Sequence, residues 1–151
     1  MDARKIALVQ ETFDKIAAAG ARLSETFYAE LFAIDPGLRT MFDHDMRRQH
    51  MKFLMTLTLI VRSLREPEKL QQAVRHLAIK HVQYGVQPGH FTPFGNALLR
   101  TLKKTLGPGY SRDVAAAWEE AFRLLARTMK QAEFHAGMAE RQTQHAGQPA
   151  E

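Results

Sequence analysis

Apolar residues recur every three or four positions along most of the chain, and no segment alternates with a period of two. This periodicity is typical of amphipathic α-helices that bury one face. Glycine, proline and polar residues interrupt it and separate seven predicted helices, over about residues 2–19, 21–34, 36–42, 46–64, 67–84 and 92–106 and from residue 111 onward. We therefore expect an all-α fold of seven to eight helices in one domain.

Three helix starts carry capping signals. Asp35-Pro36 combines a side chain that accepts hydrogen bonds from free N–H groups with a proline suited to the first helical turn. Thr92-Pro93 has the same form, and Ser111 is the candidate N-cap of the last helix. These signals predict where the third, sixth and seventh helices begin.

The C-terminal end of the chain differs from the rest. From Gly137 onward the sequence is polar and aperiodic, with Gln, Thr, His and Gly in place of a helical stripe. Such a segment has too little apolar surface to offset the entropy of ordering. We therefore predict a folded domain over residues 1–136 and a disordered tail over residues 137–151.

Composition narrows the classes of function. The chain contains no cysteine, which excludes disulfides, cysteine-held zinc, a thiol nucleophile and covalent thioether attachment of a haem. The longest apolar run, over residues 53–61, is too short to cross a bilayer, and the N-terminus has no signal-length apolar run. We expect a soluble, cytoplasmic protein with no membrane association.

The net charge is +5 and the isoelectric point is near 9.7, which permits attraction to acidic partners. Lysine and arginine are scattered along the helices and do not form a stripe interleaved with aromatic residues. We interpret them as solvated helix faces and expect no nucleic-acid partner.

One histidine, His81, lies on the apolar side of its predicted helix. Ala78, Leu77 and Val74 precede it by three, four and seven residues, so its imidazole projects from the buried stripe. A buried imidazole needs a partner. From spacing alone, His81 is either a core histidine bonded to a backbone carbonyl or a ligand of a bound group.

Four motifs in order along the chain resemble the globin family, and in particular the bacterial single-domain haemoglobins and the haem domain of flavohaemoglobins. They are Phe-Tyr-Ala-Glu-Leu-Phe at 27–32, Asp35-Pro36 with Met41-Phe42, Lys-His-Val-Gln-Tyr-Gly-Val at 80–86, and Ala117-Trp118 with Phe122. The resemblance covers about residues 3–134. It implies a globin fold whose helices enclose a haem pocket.

The resemblance also implies how the haem would be held. His81 matches the proximal iron ligand, with the carbonyl of Leu77 as the acceptor for its second ring nitrogen, and the absence of cysteine implies a non-covalent haem b. Glu133 matches a glutamate that polarises this histidine in flavohaemoglobins, but Phe91 fills the slot of the accompanying tyrosine. The residues expected to contact haem are Phe42, Phe53, Leu77, Lys80, Val86 and Phe91.

On the opposite, distal side, Tyr28 matches the tyrosine that overhangs the iron in this family. The second distal residue depends on the register of the fourth helix, which places either Gln49 or His50 over the iron. Gln49 would pair with Tyr28 to stabilise a ligand through hydrogen bonds. His50 could instead bind the iron directly and give a six-coordinate resting state.

Three functions are compatible with this site. The first is reversible dioxygen binding for storage, delivery or transport. The second is nitric oxide dioxygenase activity supported by a separate reductase, which the basic surface could dock if that reductase were acidic. The third is a six-coordinate redox or gas-sensing globin that uses His50. The expected ligands are dioxygen, nitric oxide and carbon monoxide, and the expected state is a monomer or a weak homodimer.

Overall fold

The computed structural model describes the backbone of residues 1–146 and the side chains of residues 1–87 and 89–132. The described backbone forms six α-helices and three short 3₁₀ helices. The α-helices are α1 (Ala3–Ala17), α2 (Ala21–Ile34), α3 (Arg47–Arg62), α4 (Pro67–Gln83), α5 (Phe91–Leu106) and α6 (Arg112–Ala146), and the 3₁₀ helices are Pro36–Met41, Pro88–His90 and Gly107–Gly109. The all-α prediction is confirmed.

Short polar side chains begin several of these helices. The Asp2 carboxylate accepts a hydrogen bond from the backbone N–H of Lys5 at 2.8 Å, and Asp35 accepts one from Gly37 at 3.2 Å. Ser111 accepts one from the N–H of Val114 at 3.2 Å. Asp35 and Ser111 therefore cap the helices that the sequence assigns to them.

The core lies where α1 packs against α6 and α2 packs against α5. Phe13, Phe27 and Leu102 are buried there almost completely. The one tryptophan, Trp118, is also buried, and its indole Nε1 donates a hydrogen bond to Thr12 Oγ1 at 2.9 Å. This bond joins α1 to α6 and satisfies the one polar atom that the indole carries into the core.

A glycine allows α5 and α6 to approach closely. A Cβ atom built on Gly95 would lie 2.5 Å from Cε1 of Phe122, closer than such atoms approach in folded proteins. The Phe122 ring therefore occupies the space that any other residue at position 95 would need.

The remaining helices, α3 and α4, form one side of the molecule. α4 packs on α6 through a second apolar cluster that contains Val74, Ala78, Ala126 and Met129. α3 packs against α2 and α1 and also contacts α4. Together α3 and α4 place their site residues over the end of the core.

Two boundaries differ from the sequence prediction. α5 begins at Phe91, so Thr92 is not its N-cap and Pro93 lies inside the first turn, where a missing N–H breaks no helical hydrogen bond. α6 continues past Gly137 to Ala146, because Met138, Ala139, Glu140 and Arg141 are strong helix formers that extend the helix without an apolar stripe. Residues 147–151 of the predicted tail lie outside the described residues.

None of the helices in the described part of the chain is long and apolar enough to span a membrane.

Candidate functional site

Tyr28 lies on the inner face of α2 and is only 4% exposed. Aromatic rings surround it. Its ring centroid lies 5.4 Å from that of Phe42 and 5.7 Å from that of Phe53, both in edge-to-face orientation, and 5.9 Å from that of Phe32. Phe53 in turn stacks on Phe27 with 4.2 Å between centroids. The phenol is thus fixed by packing in a predominantly aromatic environment.

Gln49, on the first turn of α3, reaches the Tyr28 hydroxyl. Its amide Nε2 donates a hydrogen bond to Tyr28 Oη at 2.8 Å. A phenol carries one O–H donor in addition to its acceptor lone pairs. Because the oxygen accepts from Gln49, the Tyr28 proton is left to donate to a third group.

The electrostatics of the pocket keep that proton in place. Burial raises the pKa of Tyr28 from about 10 to about 12, because an ionised phenolate would lose its hydration, and the hydrogen bond from Gln49 opposes this shift only partly. Tyr28 is therefore a neutral hydrogen-bond donor throughout the physiological pH range.

His50, the other candidate for the distal position, also lies next to Tyr28. Its ring stacks on the Tyr28 ring with 5.5 Å between centroids and 22° between planes. Its backbone carbonyl accepts a hydrogen bond from Ser24 Oγ at 2.9 Å, which ties the start of α3 to α2. Sequence reasoning did not identify Ser24, although a serine in the apolar stripe one turn before Tyr28 is a signal for such a contact.

His81 lies near the end of α4 with its ring partly buried. Its Nδ1 is 2.8 Å from the carbonyl oxygen of Leu77, one turn earlier. Because a carbonyl oxygen only accepts, Nδ1 carries the proton, and the lone pair of the neutral ring is on Nε2. Burial lowers the pKa of His81, and the carbonyl of Leu77 opposes the shift without cancelling it.

The other residues predicted on this side are arranged around His81. The N–H of Val86 donates to the His81 carbonyl at 3.0 Å, and Gly85 adopts φ +77°, which turns the chain out of the helix. Phe91 is buried in the cluster on which Leu77 packs, while Lys80 is exposed. The side chain of Glu133 lies outside the described residues.

The predicted residues thus form two groups. Tyr28, Gln49, His50, Phe42 and Phe53 are brought together where α2 and α3 meet. Leu77 and His81 lie in the last two turns of α4, Val86 follows it, Phe91 begins α5, and α4 contacts α3.

An apolar cavity adjoins the inner ends of these helices. Its volume is about 30 Å³, and it is partly open to solvent. Leu57 and Val61 of α3, Val74 of α4 and Trp118 and Phe122 of α6 contribute to its lining. The polar site residues are not in that lining, so the cavity and the site chemistry are separate features.

The donor set of the two groups suits a haem. A neutral imidazole with a free Nε2 is the usual axial ligand of haem iron, and its N–H bond to a carbonyl fixes the ring orientation. The described residues contain no group of three or more His, Cys, Asp or Glu that could hold a bare metal ion. A metal bound by His81 would therefore need ligands from a cofactor, which a porphyrin would supply. On the other side, a phenol and an amide offer hydrogen bonds to a polar ligand inside an aromatic pocket.

Comparison with known proteins gives a consistent result. A family model described as Globin matches residues 25–129. A flavohemoprotein from Xylella fastidiosa is 30% identical over 131 residues, which are 85% of this chain and 33% of the relative. The chain thus spans about a third of the length of that relative.

Two solved structures share the arrangement of helices. One is an engineered carbene transferase described as a putative nitric oxide dioxygenase from Rhodothermus marinus, with a TM-score of 0.82 and 26% identity, covering 93% of this chain and 99% of that chain. The other is a bacterial globin from Campylobacter jejuni, with a TM-score of 0.79 and 23% identity, covering 89% and 98%. At 23% identity the second match shows the fold alone.

Proposed function

Because the chain belongs to the globin family, we propose that it is a haem b protein that binds dioxygen reversibly, with His81 as the iron ligand and Tyr28 and Gln49 as the ligand-stabilising pair. Bound haem would supply a ferrous iron that takes dioxygen, nitric oxide or carbon monoxide as its ligand. The carbonyl of Leu77 holds the Nδ1 proton of His81, which would leave Nε2 free to bind the iron. Phe42, Phe53, Val86 and Phe91 would contact the porphyrin, and Lys80 its propionates.

The observation that carries this proposal is the buried hydrogen bond from Gln49 to Tyr28. Because the Tyr28 oxygen accepts this bond, its proton is available to donate to a ligand. A dioxygen ligand in a globin carries partial negative charge, and a hydrogen bond to a charged acceptor contributes about 1.5–3 kcal/mol. The burial that keeps Tyr28 protonated also excludes water that would compete for this bond.

Replacing Tyr28 by Phe should therefore speed dioxygen dissociation by about ten- to a hundredfold, because the ring packing stays and only the hydroxyl is lost. The rate can be measured by stopped-flow replacement of dioxygen with carbon monoxide. Tyr110→Phe is the matched control, since Tyr110 lies between α5 and α6. An unchanged rate in Tyr28→Phe would remove this residue from the ligand site.

A second candidate function is nitric oxide dioxygenase activity. The similarity to flavohemoproteins and to a putative nitric oxide dioxygenase supports it, and the same Tyr28–Gln49 pair serves it. This reaction consumes one electron for each nitrate formed from dioxygen and nitric oxide, so continued turnover would need a reductase. Rapid nitrate formation in a single turnover would support this candidate, and slow nitrate formation beside stable dioxygen binding would favour storage or delivery.

The position of His50 bears on the third possibility, a six-coordinate redox or sensing globin. Its ring stacks on Tyr28, and its backbone is tied to Ser24. Coordination of iron by His50 would require that this stacking be given up. We therefore favour Gln49 as the distal residue. We also expect the protein to be cytoplasmic and to be a monomer or a weak homodimer.

A further inference from the structure

Exposed apolar side chains are concentrated on α3 and at the end of α4. Met51, Met55 and Leu59 follow each other at four-residue spacing on one face of α3 and are 66%, 68% and 53% exposed. Tyr84, which directly follows α4, is 62% exposed. A contiguous apolar patch on a protein surface is typical of an interaction site.

The α3 stripe and Tyr84 belong to one surface. The ammonium group of Lys52 lies 6.0 Å from the centre of the Tyr84 ring, within the range of a cation–π contact. Lys52 directly follows Met51, and Arg48 precedes Met51 by three residues on the same side of α3. We call the surface formed by Arg48, Met51, Lys52, Met55, Leu59 and Tyr84 the docking face.

The charge around this face is of one sign. Residues 46–65 contain no Asp or Glu, and residues 69–112 contain none either. Asp45 and Glu66, which flank the first of these segments, are paired locally, Asp45 with Arg47 at 2.9 Å and Glu66 with Lys69 at 2.9 Å. Glu68 and Asp113 flank the second segment. A second copy of the chain docked through the same face would bring like charges together, whereas an acidic partner would be attracted.

The composition of the face favours a protein partner. Protein interfaces have an apolar centre with aromatic residues and Met, in which Arg is also enriched, and a polar rim. The docking face has this composition, since Met51, Met55 and Tyr84 are exposed and Lys52 lies over the Tyr84 ring. It also lies close to the proposed haem in sequence, since Gln49 precedes Met51 by two residues and His81 precedes Tyr84 by three.

We propose that the docking face binds an acidic electron-carrier protein that reduces the haem iron. This inference rests on the proposed haem site and on the second candidate function, because a globin that cycles through the ferric state needs one electron for each return to the ferrous state. The carrier would be oxidised by one electron and the iron reduced by one. The positive charge would guide the encounter, and the apolar stripe would hold the complex.

The test uses flavodoxin, a small acidic flavoprotein, as the probe. Its binding to the carbon monoxide form of the haem-loaded protein is followed by amide chemical shifts, and the reduction of the ferric form by the reduced probe is followed by stopped flow. Arg48→Glu with Lys52→Glu alters the charge of the face. Lys103→Glu with Arg127→Glu is the matched control on α5 and α6, because each pair lowers the net charge from +5 to +1.

The apolar part of the face is tested separately. Met51→Gln with Met55→Gln makes the stripe polar, and Met41→Gln is the control, because Met41 is an exposed methionine in the 3₁₀ helix before α3. We expect the shift changes to map to α3 and to the end of α4. Both face variants should lower the second-order rate of reduction by about tenfold or more. Added salt should slow the reduction of the unmodified protein as the charge variant does, because it screens the same attraction.

Equal rates in face and control variants, or no binding of the probe, would overturn the inference. So would a dimer that Met51→Gln with Met55→Gln dissociates, since the occupant would then be a second copy. If the unmodified protein and the control variants sedimented with phosphatidylglycerol vesicles and the face variants did not, the partner would be a lipid surface instead. Dioxygen binding measured with a chemical reductant separates these failures from failure of the proposed function, because it does not involve the docking face.

Discussion

The helices of the core, α1, α2, α5 and α6, use their apolar residues differently from α3 and α4, which carry Gln49, His50 and His81. Of the fourteen residues of α2, six are buried, including Phe27 and Leu31, whereas α4 buries only Val74 and Ala78 among seventeen. Met51, Met55, Leu59 and Ile79 are all exposed on α3 and α4. Buried residues are therefore denser on α2 than on α4, and both α3 and α4 leave large apolar side chains on the surface.

The largest expected effect is in the core. Phe13→Ala should lower the free energy of unfolding by about 3–5 kcal/mol, because the buried ring leaves a cavity between α1 and its neighbours. Leu59→Ala, the matched truncation on the exposed face of α3, should change it by less than about 0.5 kcal/mol. Urea unfolding of both variants measures the contrast, and equal losses would show that α3 is as well packed as the core.

A smaller effect is expected from the hydrogen bond that joins α1 to α6. Thr12→Val keeps the side-chain shape but leaves the Trp118 N–H without its partner, at a cost of about 1–3 kcal/mol. Thr58→Val on α3 is the control, since the Thr58 hydroxyl donates to the carbonyl of Leu54 in its own helix and, among the described residues, to no other helix. If the two variants lose the same stability, the bond across helices has no special role.

The smallest effect concerns pH and links the core to the site. The folded-state pKa of Tyr28 is about 12, above the value near 10 of an exposed tyrosine. Its contribution to stability is therefore fully present below pH 10 and is lost as the pH rises from 10 to 12, by about 1 kcal/mol at pH 11. The unfolding free energy should fall more steeply between pH 9 and 11 in the unmodified protein than in Tyr28→Phe, and parallel curves would contradict the burial of this phenol.

Local rules in the sequence predict much of this fold. Asp35 and Ser111 act as caps because capping depends only on neighbouring residues, and the position of His81 on the apolar side of α4 follows from helical spacing. The globin fold itself follows from motifs spread along the chain. These features need no knowledge of which helices meet.

Features that depend on contacts between helices are not readable from the sequence. Gly95 reads as a weak point in a helix until Phe122 is known to lie against it. Gln49 and His50 are adjacent, and one residue of register separates them. In the structure both lie beside Tyr28, and the Gln49 amide donates to the hydroxyl. The exposure of Met51, Met55 and Leu59 likewise depends on which helices pack against α3, and spacing alone does not show this.

The most direct test of the site is the optical spectrum of the protein loaded with haem, recorded in the ferric state, after reduction with dithionite and after addition of carbon monoxide. A single axial histidine, His81, predicts a five-coordinate ferrous spectrum that shifts completely with carbon monoxide, and His81→Gly should regain it only when imidazole is added. A ferrous spectrum that is already six-coordinate and low-spin would assign His50 to the iron. A protein that takes up no haem would contradict the proposed site altogether, and His81 would be a core histidine bonded to the carbonyl of Leu77.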